Sequence, residues 1–152
     1  MSHPAASPLA AHLGYWLRAV SNQVSHSFAR KLEAEAVTVA EWAVLRQLYD
    51  AEPLAPSRLA EAMGLSRGAI SKLAERLRAK GLLRREADAT DGRAQILALA
   101  PAGAALVPRL AALADANDAE FFADLPAADR LALQRILRAI VDRHALRAVP
   151  VD

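Results

Sequence analysis

Residues 66–86 read SRGAISKLAERLRAKGLLRRE. The stretch carries Arg67, Lys72, Arg76, Arg78, Lys80, Arg84 and Arg85 against only Glu75 and Glu86. Ser66 is a helix-capping residue, Ile70, Leu73, Ala74 and Leu77 recur at helical spacing, and Gly81 suits a helix end. With that apolar stripe turned inward, the opposite face presents Arg67, Gly68, Ser71, Lys72, Glu75 and Arg78. A charge run of this kind is either a solvated helix face or a surface that lies against a polyanion.

The flanking segments favour the polyanion. Upstream, Pro56 and Ser57 open a short helix whose Leu59 and Met63 face inward, and Gly64 ends it. Ala60, Gly64 and Ile70 then fall at the spacing of a helix-turn-helix. A small residue is needed where the helices cross, a glycine where the turn needs a left-handed backbone, and a branched apolar residue where the second helix is anchored. A chance helical hairpin is the plainer alternative.

In a reading helix, Ser66 and the small residues Gly68 and Ser71 let base edges approach, while Arg67 and Lys72 donate to guanine acceptors or phosphates. Arg76, Arg78 and Lys80 lie further along, suited to phosphates or to solvent, and Arg85 sits on the segment leaving the helix. Glu75 pairs with Arg78 or Lys72 at helical spacing. Downstream, Leu82–Ala87 and Gln95–Leu99 read as strands of a hairpin joined by Asp88-Ala89-Thr90-Asp91-Gly92-Arg93. Arg93 at this tip, its guanidinium oriented by Asp88 and Asp91, suits a narrow minor groove. An exposed ion-pair turn is the alternative.

Further out the chain is helical. Leu13, Leu17, Val20, Val24, Phe28 and Leu32 line one side of a long first helix, with Trp16 beside the stripe. Thr38 and Glu41 form a capping box for a second helix that ends near Ala51-Glu52-Pro53, with Val37 and Trp42 placed as a hydrophobic staple. A fifth helix starts at Pro101 and runs to Phe121 and Phe122. Leu125-Pro126 breaks it, and a last helix carries Leu133, Ile136, Leu137, Ile140 and Val141. The long outer helices have apolar stripes without an evident partner in the middle of the chain, and a second copy of the chain is a ready one.

Composition bounds the rest. The chain has 152 residues, 54% of them hydrophobic and 5% aromatic, enough for one domain with a sizeable core. Net charge is +2, but residues 56–93 hold nine Lys or Arg against five acids, a local excess of +4. There is no cysteine, hence no disulfide, thiolate metal site or thiol switch. The longest uncharged stretch of the second half, Ala94–Pro108, is broken by Pro101, Gly103 and Pro108, which argues against a membrane span. Met1–Leu17 lacks a basic segment before its apolar residues, so no signal peptide is expected and the cytoplasm is the expected location. No phosphate-cradling glycine loop, HExxH or nucleophile motif is present, so neither an enzyme nor a cofactor is expected.

The helix-turn-helix, Asp91-Gly92-Arg93, Ile96–Leu99 and Gly103, flanked by long helices in about this length, resemble the MarR family of winged helix-turn-helix transcriptional regulators. The resemblance implies a mainly α fold with a small β-hairpin wing, in one unit spanning residues 1–152. About residues 53–99 would form the winged helix-turn-helix lobe, and about 8–34 and 101–147 the helical dimerisation lobe. It implies a homodimer on double-stranded operator DNA, with the fourth helix in the major groove and Asp91 and Arg93 in the wing. Ala100 departs from the family, which often has a capping Thr there. Members usually repress, and many release DNA when a small aromatic acid binds between the lobes. His12, Tyr15, Trp16, Trp42 and Arg46 are the candidates for such a ligand, with core or dimer packing as the alternative use of the tryptophans. A winged helix that binds protein without touching DNA is one rival. A metal-responsive regulator using His3, His12, His26 or His144 across a dimer is another.

Overall fold

The computed structural model describes residues 2–151. Among these, a short 3-10 turn (Leu9–Ala11) precedes α1 (Leu13–Glu33), α2 (Val39–Tyr49), α3 (Pro56–Met63), α4 (Arg67–Ala79), β1 (Leu83–Ala87), β2 (Gln95–Leu99), α5 (Pro101–Phe122) and α6 (Ala127–Arg143). The fold is mainly α with a small β-hairpin wing.

Local chemistry sets the element boundaries. Thr38 Oγ1 accepts the Glu41 N–H and the Glu41 carboxylate accepts the Thr38 N–H, each at 3.1 Å, closing the capping box that starts α2. Ser66 Oγ accepts the Ala69 N–H at 3.1 Å and starts α4. Gly64 ends α3 at φ +64°, a left-handed conformation that costs a glycine little. The wing pairs Leu83 with Leu99 through Ala87 with Gln95 in antiparallel register. Leu54 adds a bridge on the far side of β2, exchanging hydrogen bonds of 3.0 and 2.7 Å with Leu97.

As expected from the sequence, α5 runs from Pro101 to Phe122, and it carries Pro108 in its interior. The carbonyl it deprives of a donor belongs to Ala104, on the solvent side, where water can satisfy it. Meanwhile Leu106, Val107 and Leu110 are buried. Packing of those three offsets a helix penalty of about 3 kcal/mol.

The core joins α2, α3, α4 and the wing to the lower ends of α1 and α5: Leu32, Leu45, Leu59, Met63, Ile70, Leu77, Leu97 and Leu110 are all fully buried in one cluster. The upper half of α1 is bare, with Leu13 88% and Leu17 54% exposed, and α6 buries no residue. Trp16, Leu17, Val20, Phe122, Leu133 and Leu137 line an open apolar groove of about 600 Å³. Among the described residues no helix is long and apolar enough to cross a membrane.

Candidate nucleic-acid interface

The buried stripe of α4, Ile70, Leu73, Ala74 and Leu77, fixes the helix's rotation about its axis. Ser66, Arg67, Gly68, Ser71, Lys72, Glu75, Arg76 and Arg78 are therefore all exposed. Neither Arg67 nor Lys72 has an ion-pair or hydrogen-bond partner among the described residues. Gly68 adds to this picture. A Cβ there would meet only Ser66 Oγ, at 4.0 Å, so the fold itself does not require a glycine in the first turn of α4.

Further along α4 the cations are tied down. Arg78 grips Glu75 through two hydrogen bonds of 2.8 and 3.2 Å, and Arg85 lies 3.7 Å from the same carboxylate. The Arg78 hydrogen bonds, first of all, hold the Glu75 pKa below its ordinary value. Of the two partners open to Glu75, the structure selects Arg78. Arg85 also donates to Gln95 at 3.2 Å across the wing.

Arg76 and Lys80, though exposed, reach back to a buried acid of α2. Lys80 Nζ lies 2.8 Å from one Glu41 carboxylate oxygen and 2.7 Å from the Ala36 carbonyl oxygen, and Arg76 Nη2 lies 3.7 Å from the other carboxylate oxygen. Glu41 is 1% exposed, so α2 holds a buried anion against the last turn of α4. Burial alone would raise its pKa, but Lys80 and the Thr38 amide and hydroxyl outweigh it and hold the carboxyl below its usual value. A carboxyl depressed on folding contributes stability that is present above its unfolded pKa and lost as pH falls through the folded one. We therefore expect Glu41→Gln, which keeps the cap acceptor, to cost about 1–2 kcal/mol at pH 7. The deficit should shrink toward zero as denaturation is repeated at pH values falling through the depressed folded pKa, and a deficit independent of pH would contradict the ion-pair account.

At the wing tip, Asp88 and Asp91 act on the backbone rather than on the Arg93 guanidinium. Asp91 accepts the Arg93 N–H at 3.1 Å, and Asp88 accepts the N–H and hydroxyl of Thr90, both at 2.9 Å. Those Thr90 bonds, backbone first, lower the Asp88 pKa. The expected carboxylate–guanidinium orientation is replaced by two Asx turns, because a side chain two residues back reaches a backbone N–H more readily than the end of a long guanidinium. Arg93 is exposed, and its guanidinium has no partner among the described residues.

A second cavity, about 390 Å³, opens between α1 and α2, with Asn117 of α5 at its back. Phe28 and Trp42 form an edge-to-face pair in it at 6.4 Å between centroids, and Arg46 stands at its edge. Arg46 is bound to Asp50 at 3.0 Å and lies over the Tyr49 ring. The five ligand candidates do not converge within one protomer. Trp42 and Arg46 line this cleft, whereas His12 precedes α1 and Tyr15 stacks edge-on against Trp16 in its first turn. Trp16 lines the outer apolar groove and donates to the Ala10 carbonyl at 2.9 Å. Twelve residues of helix separate Trp16 from Phe28, about 18 Å at the α-helical rise. Among the described residues no group of three or more His, Asp or Glu could hold a metal ion.

The sequence model of the MarR family matches residues 37–94, the start of α2 to the wing tip. A putative transcriptional regulatory protein for the hcr operon of Thauera aromatica is 31% identical over 133 residues, 87% of this chain and 80% of that protein. The chain belongs to the MarR family. It is a winged-helix transcriptional regulator with a DNA-binding fold. The structure of Bordetella bronchiseptica BpsR, whose DNA binding is regulated by 6-hydroxynicotinic acid, superposes on this MarR-family chain with a TM-score of 0.78 at 25% identity, covering 91% of this chain and 99% of that one. CouR from Rhodococcus jostii RHA1, solved with p-coumaroyl-CoA bound, gives 0.75 at 26% identity over 89% and 95%.

Sequence reasoning missed two features of this MarR chain. Asn117 continues the stripe Leu106, Leu110, Leu113 as its single polar member, a visible signal. It is buried, accepts from Lys31 at 3.0 Å and donates to the Val24 carbonyl at 3.1 Å. The meeting of Glu41 with Lys80 and Arg76 spans more than thirty residues and leaves no local trace.

Proposed function

We propose that this regulator is a homodimeric, cytoplasmic repressor that reads a palindromic operator and is released by a small aromatic carboxylate. The carrying observation is the outer face of α4: Arg67 and Lys72 have no partner among the described residues and stand beside Gly68 and Ser71, on a helix whose rotation the core fixes. A helix about 10–12 Å across enters a major groove about 12 Å wide. In this reading Ser66, Arg67, Gly68, Ser71 and Lys72 meet bases and adjacent phosphates. Arg78 and Arg85 serve the flanking backbone, Arg76 adds a weaker charge because Glu41 shares it, and Asp91 shapes the tip from which Arg93 reaches the minor groove.

Residues 53–99 would form the reading lobe, and 8–34 with 101–147 the dimerisation lobe. The exposed stripes of α1 and α6 support this, since an apolar groove so large is rarely left uncovered in a monomer. The cleft of Phe28, Trp42 and Arg46 supports an aromatic acid: the rings take its apolar body and Arg46, exchanging Asp50, its carboxylate. The regulation of BpsR by 6-hydroxynicotinic acid is consistent with that class.

The experiment is a gel shift and DNase footprint on DNA flanking the protein's own gene, with sedimentation at the same concentration. A symmetric footprint with half-sites about 34 Å apart and a dimeric mass is the expected result. An unmodified digestion pattern at low salt, or a monomer, contradicts it. In the same assay Arg93→Ala should weaken binding across sequences and lower the log-affinity-versus-log-salt slope by about one unit. An unchanged slope would remove the wing contact.

A further inference from the structure

α6 ends in a reversal at Ala145, a non-glycine residue at φ +51°. Leu146 N–H reaches the Val141 carbonyl at 3.0 Å across it. A left-handed alanine persists only where its surroundings hold it. What holds it lies in the following residues, which cross the turn between α3 and α4. Val149 N–H donates at 2.8 Å to the carbonyl of Met63, one of the α3 carbonyls left without a helical donor. The Arg147 carbonyl and Ala148 backbone press on Gly64 so closely that a Cβ there would lie 2.8 Å from them. Val149 then packs on the buried core, and with Pro150 it lines the same cleft as Phe28, Trp42 and Arg46.

We infer that residues 145–151 are a strap that pins the α3–α4 turn from the cleft side, and that an occupant of the cleft unseats it and frees the turn that aims α4. The identity of that occupant rests on the aromatic-acid reading above; the strap does not. One short segment makes both contacts, so an occupant that displaces Val149 from the cleft wall also breaks its hydrogen bond to Met63. Gly64 carries a second signature. A helix-turn-helix turn asks this residue only for a left-handed backbone, which asparagine also adopts. The close approach of residues 147–148 is an additional demand that asparagine cannot meet.

Hydrogen exchange of the amides of residues 63–69 tests the strap in four chains: full length and a chain ending at His144, each with Gly64 or Gly64→Asn. Ending the chain at His144 should speed exchange of the turn about ten-fold, as local opening becomes easier. Gly64→Asn should speed it comparably in the full chain and hardly at all in the shortened one. Equal effects of Gly64→Asn in both backgrounds, or unchanged exchange on shortening, overturn the strap. Ala43→Phe then builds an occupant into the cleft without any ligand. Faster exchange at Val149 and at the turn is expected, and unchanged Val149 protection in a folded Ala43→Phe chain overturns the coupling. If that chain does not fold, Val149→Pro, which removes the N–H donor, is judged by the same turn amides. Titration of 4-hydroxybenzoate, followed by Trp42 emission in a Trp16→Phe background, separates the two readings. A flat titration counts against the aromatic-acid effector, while the exchange data still decide the strap.

Discussion

Arg67→Ala with Lys72→Ala lowers operator affinity about a hundred-fold or more at fixed moderate salt, each lost contact to bases or phosphates costing roughly 1–3 kcal/mol. The loss is expected in binding alone. Both side chains are exposed and have no intramolecular partner among the described residues, so thermal unfolding should shift negligibly. Arg78→Ala makes the contrast. Its guanidinium is bound twice to Glu75, and removing it frees a carboxylate toward the DNA. Any affinity lost there mixes a missing cation with a new repulsion. Fluorescence anisotropy on the footprinted duplex, with melting followed in parallel, distinguishes these cases. Unchanged affinity of the double variant would sink the assignment of α4 as the reading helix and return the protein-interaction reading.

Gly103→Ala should destabilise the fold by about 2–3 kcal/mol, the range of overpacking in a tight core. Alanine is the better helix former by nearly 1 kcal/mol, so helix propensity alone predicts the opposite sign. The first turn of α5 decides. A Cβ at residue 103 would land on the Leu82 carbonyl oxygen. That oxygen cannot retreat, because it accepts the Ala100 N–H at 3.0 Å while the Leu82 N–H is held by Leu77 at 3.0 Å. The obstruction is backbone against backbone, with no flexible side chain to give way. In a chain of this size the loss is a fall in Tm of about 4–12 °C. Gly14→Ala, at an α1 position where a Cβ meets nothing within 4 Å, should leave Tm level or raise it. Matching shifts in the two variants would contradict the close approach.

Most of the fold was legible because its elements announce themselves locally. The Thr38/Glu41 box, Ser66, Gly64 and Gly81 marked where helices start and stop, and the stripe of Ile70, Leu73, Ala74 and Leu77 showed which way α4 faces. The candidate DNA face followed by subtraction, so Arg67, Gly68, Ser71 and Lys72 were nameable from the sequence. Less legible was what each charge does. Arg76 and Arg78 are neighbouring cations in one basic run, yet one reaches a buried Glu41 and the other an exposed Glu75. Asp88 and Asp91 sit beside Arg93 in sequence, but their carboxylates are used up by backbone N–H groups nearer than its guanidinium.

The sequence by itself determined the order and ends of the elements, the buried faces of α3 and α4 and the family, because capping, periodicity and glycine conformation are short-range properties of neighbouring residues. The tertiary structure alone decided that Trp16 and Trp42 lie in different sites, that Glu41 meets Lys80, and that residues 145–151 return to Gly64. The last two pairings join residues from 39 to more than eighty positions apart, and such contacts arise only when the packed core sets the distances between helices.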